Sequence, residues 1–156
     1  MNSLTSQFEL LNASVKVRDL LLDASTAADL TFAVHGNPTL GELFRELGEV
    51  QHSYIEAFKT FRQNFDYRHP DPSIAADKGR LGEWFKTLDA DIEAAITVLS
   101  QEDIDGKIIV REFWQAPVGV IFHTYRECFL IFAAKAAVYF RALGKPLPDQ
   151  VLWWMG

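Results

Sequence analysis

The sequence has a single cysteine, Cys128, among 156 residues. That excludes an internal disulfide framework and any metal site built from cysteines alone. It has no excess of positive charge: 15 Lys and Arg stand against 21 Asp and Glu, a formal net charge of −6. Nonspecific attraction to nucleic acid or to an anionic lipid surface is therefore disfavoured. There is no long uninterrupted apolar run. The most apolar stretch, from Val118 to Leu143, is broken by His123, Arg126, Glu127 and Lys135, too much charge for a simple membrane span. The opening residues carry neither a basic region nor an apolar one, so no secretory signal is read there, and a cytoplasmic location, no membrane and no nucleic acid are the expectations. No glycine-rich phosphate loop, nucleophile elbow, His-x-x-x-His pair, internal repeat or low-complexity segment is present. What remains is an ordinary globular composition, 49% apolar and 23% charged, long enough for one domain over 1–156 with its own core.

Four long periodic segments emerge. Leu4, Phe8, Leu11, Val15 and Leu22 recur at helical spacing and predict a first helix from about Leu4 to Leu22. Thr39 followed by Glu42 is a capping box, and the stripe Leu40, Leu43, Phe44, Leu47, Val50, Tyr54, Phe58 and Phe61 predicts a second helix ending near Asn64. Tyr67-Arg68-His69-Pro70-Asp71-Pro72 is a rigid, extended linker. Leu81, Trp84, Phe85, Leu88, Ile92, Ala95, Ile96 and Leu99 form the apolar face of a third helix from about Ile74. The segment 101–116, with the turn signal Asp105-Gly106, is either a short hairpin or an ordered loop. Pro117 opens a fourth helix, apolar nearly all round, and Gly144 closes it. Trp153 and Trp154 are expected to dock on the bundle or on a partner chain. The fold class is all-α, a four-helix bundle with a long third connection.

Thr39-Leu40-Gly41-Glu42-Leu43-Phe44-Arg45-Glu46-Leu47, the later Tyr54, and Ala137-Val138-Tyr139-Phe140-Arg141-Ala142-Leu143-Gly144-Lys145-Pro146-Leu147-Pro148 resemble the second and last helices of the DinB/YfiT-like family. The order of elements matches over nearly the whole chain. The resemblance implies a divalent metal held by three histidines, one on the second helix and two on the fourth at i and i+4, followed by Arg-Gly-Gln. Counted from the same landmarks, those histidine positions fall on Glu46, Cys128 and Phe132, and the Arg-Gly-Gln positions on Ala133, Ala134 and Lys135. Glu46 and Cys128 carry metal-binding atoms and Phe132 carries none, so the departure implies that the family site is lost.

Other polar residues carry two readings each. His123 and Glu127, four apart, are a proton-transfer or metal pair, or a hydrogen-bonded pair at the helix edge. Glu46 is a pocket carboxylate or ligand, or a surface glutamate over the core. Cys128 among apolar neighbours is a buried hydrophobic cysteine unless His123 bends toward it. His52 falls opposite its helix's apolar stripe with Arg45, Glu49 and Glu56 and is read as a solvent residue, while His35 and His69 fall in loops. Tyr54, Tyr125, Phe132 and Tyr139, with Trp84 and Trp114, either line an apolar ligand pocket or are plain core. Two functions stay open. One is a non-catalytic bundle that binds a small apolar ligand or forms a homodimer. The other is a metal-dependent hydrolase or low-molecular-weight-thiol transferase built irregularly from Glu46, His123, Glu127 and Cys128. No cofactor is expected, with a divalent metal, zinc or nickel, as the weaker alternative.

Overall fold

The computed structural model describes residues 2–155. Four long helices, α1 (Phe8–Ala24), α3 (Leu40–Thr60), α4 (Lys78–Thr97) and α6 (Val118–Ala142), carry the core, with short helices α2 (Ala27–Leu30), α5 (Gln101–Gly106) and α7 (Asp149–Met155) between and after them. At α2, α3, α4 and α5 the start is set by a side chain that satisfies otherwise orphaned N–H groups. The predicted capping box forms: Thr39 N–H donates to Glu42 Oε2 at 2.7 Å and Glu42 N–H to Thr39 Oγ1 at 3.1 Å. Thr26 with Asp29 and Ser100 with Asp103 build the same device at α2 and α5. Asp77 caps α4 by accepting from Arg80 N–H. Ahead of α1, a 3-10 turn (Thr5–Gln7) is anchored by Asn2. Its carboxamide oxygen takes the Leu4 and Thr5 N–H groups, and its nitrogen donates to Ile96 and Leu99 carbonyls at the far end of α4.

Three expected boundaries move. The third long helix starts at Lys78 rather than Ile74, because Pro72–Ala76 forms a separate 3-10 turn and Asp77 caps the helix after it. The second long helix stops at Thr60 rather than Asn64, because Phe61 takes the left-handed conformation, φ 57°, which ends a helix at once. The chain then turns back so that Gln63 N–H donates to Val110 O and Val110 N–H to Phe61 O. The segment 101–116 contains both a helix and a hairpin. Ser100 starts α5, which consumes the Asp105-Gly106 signal as a helix end. The hairpin lies later, β1 (Ile108–Val110) pairing antiparallel with β2 (Gln115–Pro117), Ile109 opposite Ala116. Its turn is closed by Arg111 N–H to Trp114 O at 2.7 Å.

In the bundle α1 lies beside α6 and α4, and α3 also lies beside α6 and α4. Both α1 to α3 and α4 to α6 are therefore diagonal steps across the bundle, and the long connection 98–117 makes the second. The buried apolar residues form one cluster. Two glycines let elements approach: a Cβ on Gly41 would sit 1.8 Å from the Ala75 carbonyl oxygen, and one on Gly48 would sit 2.4 Å from the Trp84 ring. Among the described residues no helix is long and apolar enough to cross a membrane.

Each long helix contributes one polar side chain to a layer inside this apolar core. Arg18 of α1, 1% exposed, donates to Asp89 of α4 at 3.0 and 2.7 Å and to Gln51 Oε1 of α3 at 2.9 Å. Gln51 Nε2 donates to Asp89 Oδ1 and to Tyr125 Oη of α6, at 2.9 and 3.0 Å. The Arg18 guanidinium also meets Asp19 and lies 4.2 Å from the Phe85 ring centre. Burial alone would lower the pKa of Arg18, but Asp89 and Asp19 outweigh it and hold the group above its ordinary value.

The tail helix α7 seats Val151 fully in the core and ties Gln150 to the Ala13 carbonyl. Of the two expected places for the tail tryptophans, the bundle or a partner chain, the bundle does not take up Trp153, which is 79% exposed. In a short helix only one face meets the bundle, and Val151 occupies it.

Candidate functional site

The three positions that the resemblance assigns to metal ligands do come together. Glu46 on α3 and Cys128 and Phe132 on α6 line one shallow groove with Leu43, Leu47 and Lys135. Its chemistry does not fit a divalent ion. Glu46 faces Lys135, carboxylate to ammonium at 3.9 Å, both half-exposed. Cys128 Sγ donates to the Tyr125 carbonyl one turn back, and burial pushes its thiol up to about 12. A metal needs the thiolate. Phe132 packs against Phe44, ring centres 4.9 Å apart, and fills the third position with hydrocarbon. Among the described residues no group of three His, Cys, Asp or Glu side chains could hold a metal ion.

His123 and Glu127 are both exposed and outside that groove. Among the described residues no hydrogen bond joins them, and His123 meets Phe122 edge-on. The four aromatic candidates do not line one pocket. Tyr125 is fully buried in the polar layer, with burial raising its phenol well above the ordinary value. Phe132 floors the shallow groove, and Tyr139 donates to the Pro38 carbonyl at 2.6 Å. Trp84 packs against Gly48 and His69. His52 is corrected from a solvent residue to a covered one: the linker lays Tyr67 over it, rings stacked 3.7 Å apart. Glu49 is buried by the same segment and accepts from His69 N–H at 3.0 Å.

Tyr54, 4% exposed, leads to a larger feature. A groove of about 830 Å³ opens between the residues after α3 and the hairpin turn, 62–66 and 110–114, within the ~300–1,000 Å³ typical of small-ligand clefts. Phe61's left-handed turn puts the first wall beside β1, and the tight closure at Arg111 and Trp114 makes the second. Arg111 sits at its base. Its guanidinium donates to Gln63 Oε1, to Tyr54 Oη at 2.9 Å and to Thr124 Oγ1 at 3.4 Å. It lies 4.9 Å from the ring centre of Trp114, 5.4 Å from Tyr54 and 5.5 Å from Phe65. Gln63 is itself buried and donates to Ser53, so the acceptor that aims the guanidinium is fixed. Burial raises the Tyr54 phenol above its ordinary value, keeping it protonated beside the cation. The sequence pattern flagged Tyr54 and Trp114 but not Arg111, Gln63 or Phe65. The available signal was an arginine directly after an apolar strand and three residues before a tryptophan.

Helices and connections together define an all-α four-helix bundle with two diagonal steps. The chain matches no protein-family model and no curated protein. Among solved structures it is similar to a DinB-like protein, YjoA of Bacillus subtilis: TM-score 0.67 at 14% identity, over 90% of this chain and 96% of that one. At that identity the likeness establishes the DinB-like fold and nothing of the chemistry.

Proposed function

We propose that this protein is a non-catalytic, metal-free variant of the DinB-like bundle that binds a small, largely apolar ligand in the groove between the end of α3 and the hairpin turn. The carrying observation is the donor set at the family metal positions: a carboxylate facing a lysine, a half-buried thiol held protonated by its apolar surroundings and a phenylalanine. Such a set does not hold or activate a water or thiol nucleophile, which is what the hydrolase or thiol-transferase reading requires. The groove supplies the concave, aromatic surface that ligand sites use.

The test is metal content of untagged protein by inductively coupled plasma mass spectrometry, paired with thermal melts with and without chelator. Substoichiometric metal and an unmoved melting point are expected. Stoichiometric zinc or nickel with a chelator-lowered melting point would overturn this reading and restore the enzyme one.

Homodimerisation is a second reading favoured by exposed apolar side chains, Leu130, Ile131 and Val138 on α6 and Trp153 on α7. Light scattering on the full chain and on a chain lacking the last helix tests it. A monomer in both removes it.

A further inference from the structure

We infer that the groove's ligand is a small organic anion with a flat apolar body, its charge received by Arg111. This rests on the proposed ligand-binding function and adds the chemistry of the ligand. Arg111 is half-buried, and each protein group that accepts from it is neutral: the Gln63 amide, the Tyr54 phenol and the Thr124 hydroxyl. Among the described residues no carboxylate pairs with it. The fully buried Arg18 has two. The Nε–H and Nη2 hydrogens are taken by those acceptors, whereas Nη1 has no acceptor among the described residues and is not among the buried unsatisfied atoms. A partly desolvated cation with a fixed orientation and a free N–H₂ edge is a preorganised anion receptor.

The walls select the rest of the ligand. Phe65, Phe113 and Trp114 are 43%, 91% and 42% exposed around one groove, an arrangement that stacks on a flat apolar group. Three further charges line the groove, Arg62, Asp66 and Glu112. All three are exposed, so water and salt screen them, and the half-buried guanidinium dominates the base. A carboxylate, sulfonate or phosphate on an aromatic body shares the required chemistry.

The experiment is isothermal titration calorimetry of the full chain with 2-naphthoate and with 2-naphthamide, which present the same ring system with and without the charge. Naphthoate is expected to bind at least about tenfold more tightly, weakening as salt rises. Arg111→Gln should erase the preference, bringing acid and amide to equal affinity. Arg62→Gln should preserve the preference, and Phe113→Ser should weaken both ligands alike. Equal binding of acid and amide to the wild-type chain, a comparison that needs no variant, would overturn the anion inference while leaving the ligand-binding function standing. So would a preference that survives Arg111→Gln. Binding of neither compound at millimolar concentration would overturn both.

Discussion

Asp89→Ala is the substitution that most directly probes the polar layer at the centre of the bundle. It removes both carboxylate bonds to Arg18 and the bond from Gln51. Arg18 then keeps Gln51 and the half-exposed Asp19, but its guanidinium stays in the core. Breaking a buried ion pair from one side costs about 3–5 kcal/mol, mostly because the remaining charge is stranded. Asp89 is 30% exposed, so water enters the vacated space and the lower end, about 3 kcal/mol, is expected. For a chain of this size each kcal/mol moves the melting point by about 2–4 °C, giving a fall of roughly 6–12 °C. Arg18→Met removes the cation itself and leaves Asp89 free to hydrate, so its cost should be smaller. The decisive comparison is the double variant Arg18→Met/Asp89→Ala, which should be more stable than Asp89→Ala alone. Urea and thermal unfolding followed by circular dichroism give all four corners of the cycle. A double variant less stable than Asp89→Ala, or an Asp89→Ala within about 0.5 kcal/mol of wild type, would refute the argument that a stranded buried charge sets the cost.

Gly41→Ala should destabilise the protein by about 3 kcal/mol or more, because its new Cβ meets a backbone carbonyl rather than a mobile side chain. Gly119→Ala, with nothing near its Cβ, should leave the urea midpoint unchanged or slightly raised. Four carboxylates are held below their ordinary range: Asp29 by Lys145 and Thr26, Glu42 by Thr39, Asp71 by Ser73 and Arg80, and Asp103 by Ser100. A depressed folded pKa adds stability above the unfolded value of about 4 and loses it as pH falls through the folded value. The melting point should therefore be flat from about pH 8 to 5 and fall below about pH 4, less steeply in Asp29→Asn. A melting point that stays level down to about pH 2.5 would contradict the assignment.

The long helices were legible because their signals are local. Thr39 and Glu42 cap α3, and leucines at helical spacing bury one face. Gly144, φ 66°, ends α6 as the pattern indicates. What was not legible depended on partners distant in sequence. Arg18 carries no local mark of burial, since the acceptors on the other helices, Gln51 and Asp89, lie 33 and 71 residues away. His52 and Glu49 fall on a polar helix face, and only the folded linker covers them. Asp105-Gly106 is a genuine turn signal that α5 uses as an ending, so the hairpin forms later. At the site, Glu46, Cys128 and Phe132 were brought together as the resemblance implied. The Arg111 groove has no local signal because its two walls, 62–66 and 110–114, meet only in the fold, through the backbone bonds that follow Phe61's left-handed turn and the Arg111 contacts to Gln63 and Phe65.

The diagonal steps in the connectivity set the order in which the protein can be completed as it is made. α1 emerges first, yet its two neighbours in the bundle are α4 and α6, and α6 is the last long helix. The buried face of α1, with Arg18 in its middle, must therefore wait through more than half the chain for most of its cover. Local helix pairing, the fast route for bundles, is available only to α3 and α4. The bundle therefore closes from its middle helices outward, and its first and last long helices come together at the end. A chain interrupted before Val118 would display the apolar face of α1 that α6 covers. Such a surface invites capture by chaperones or by other chains.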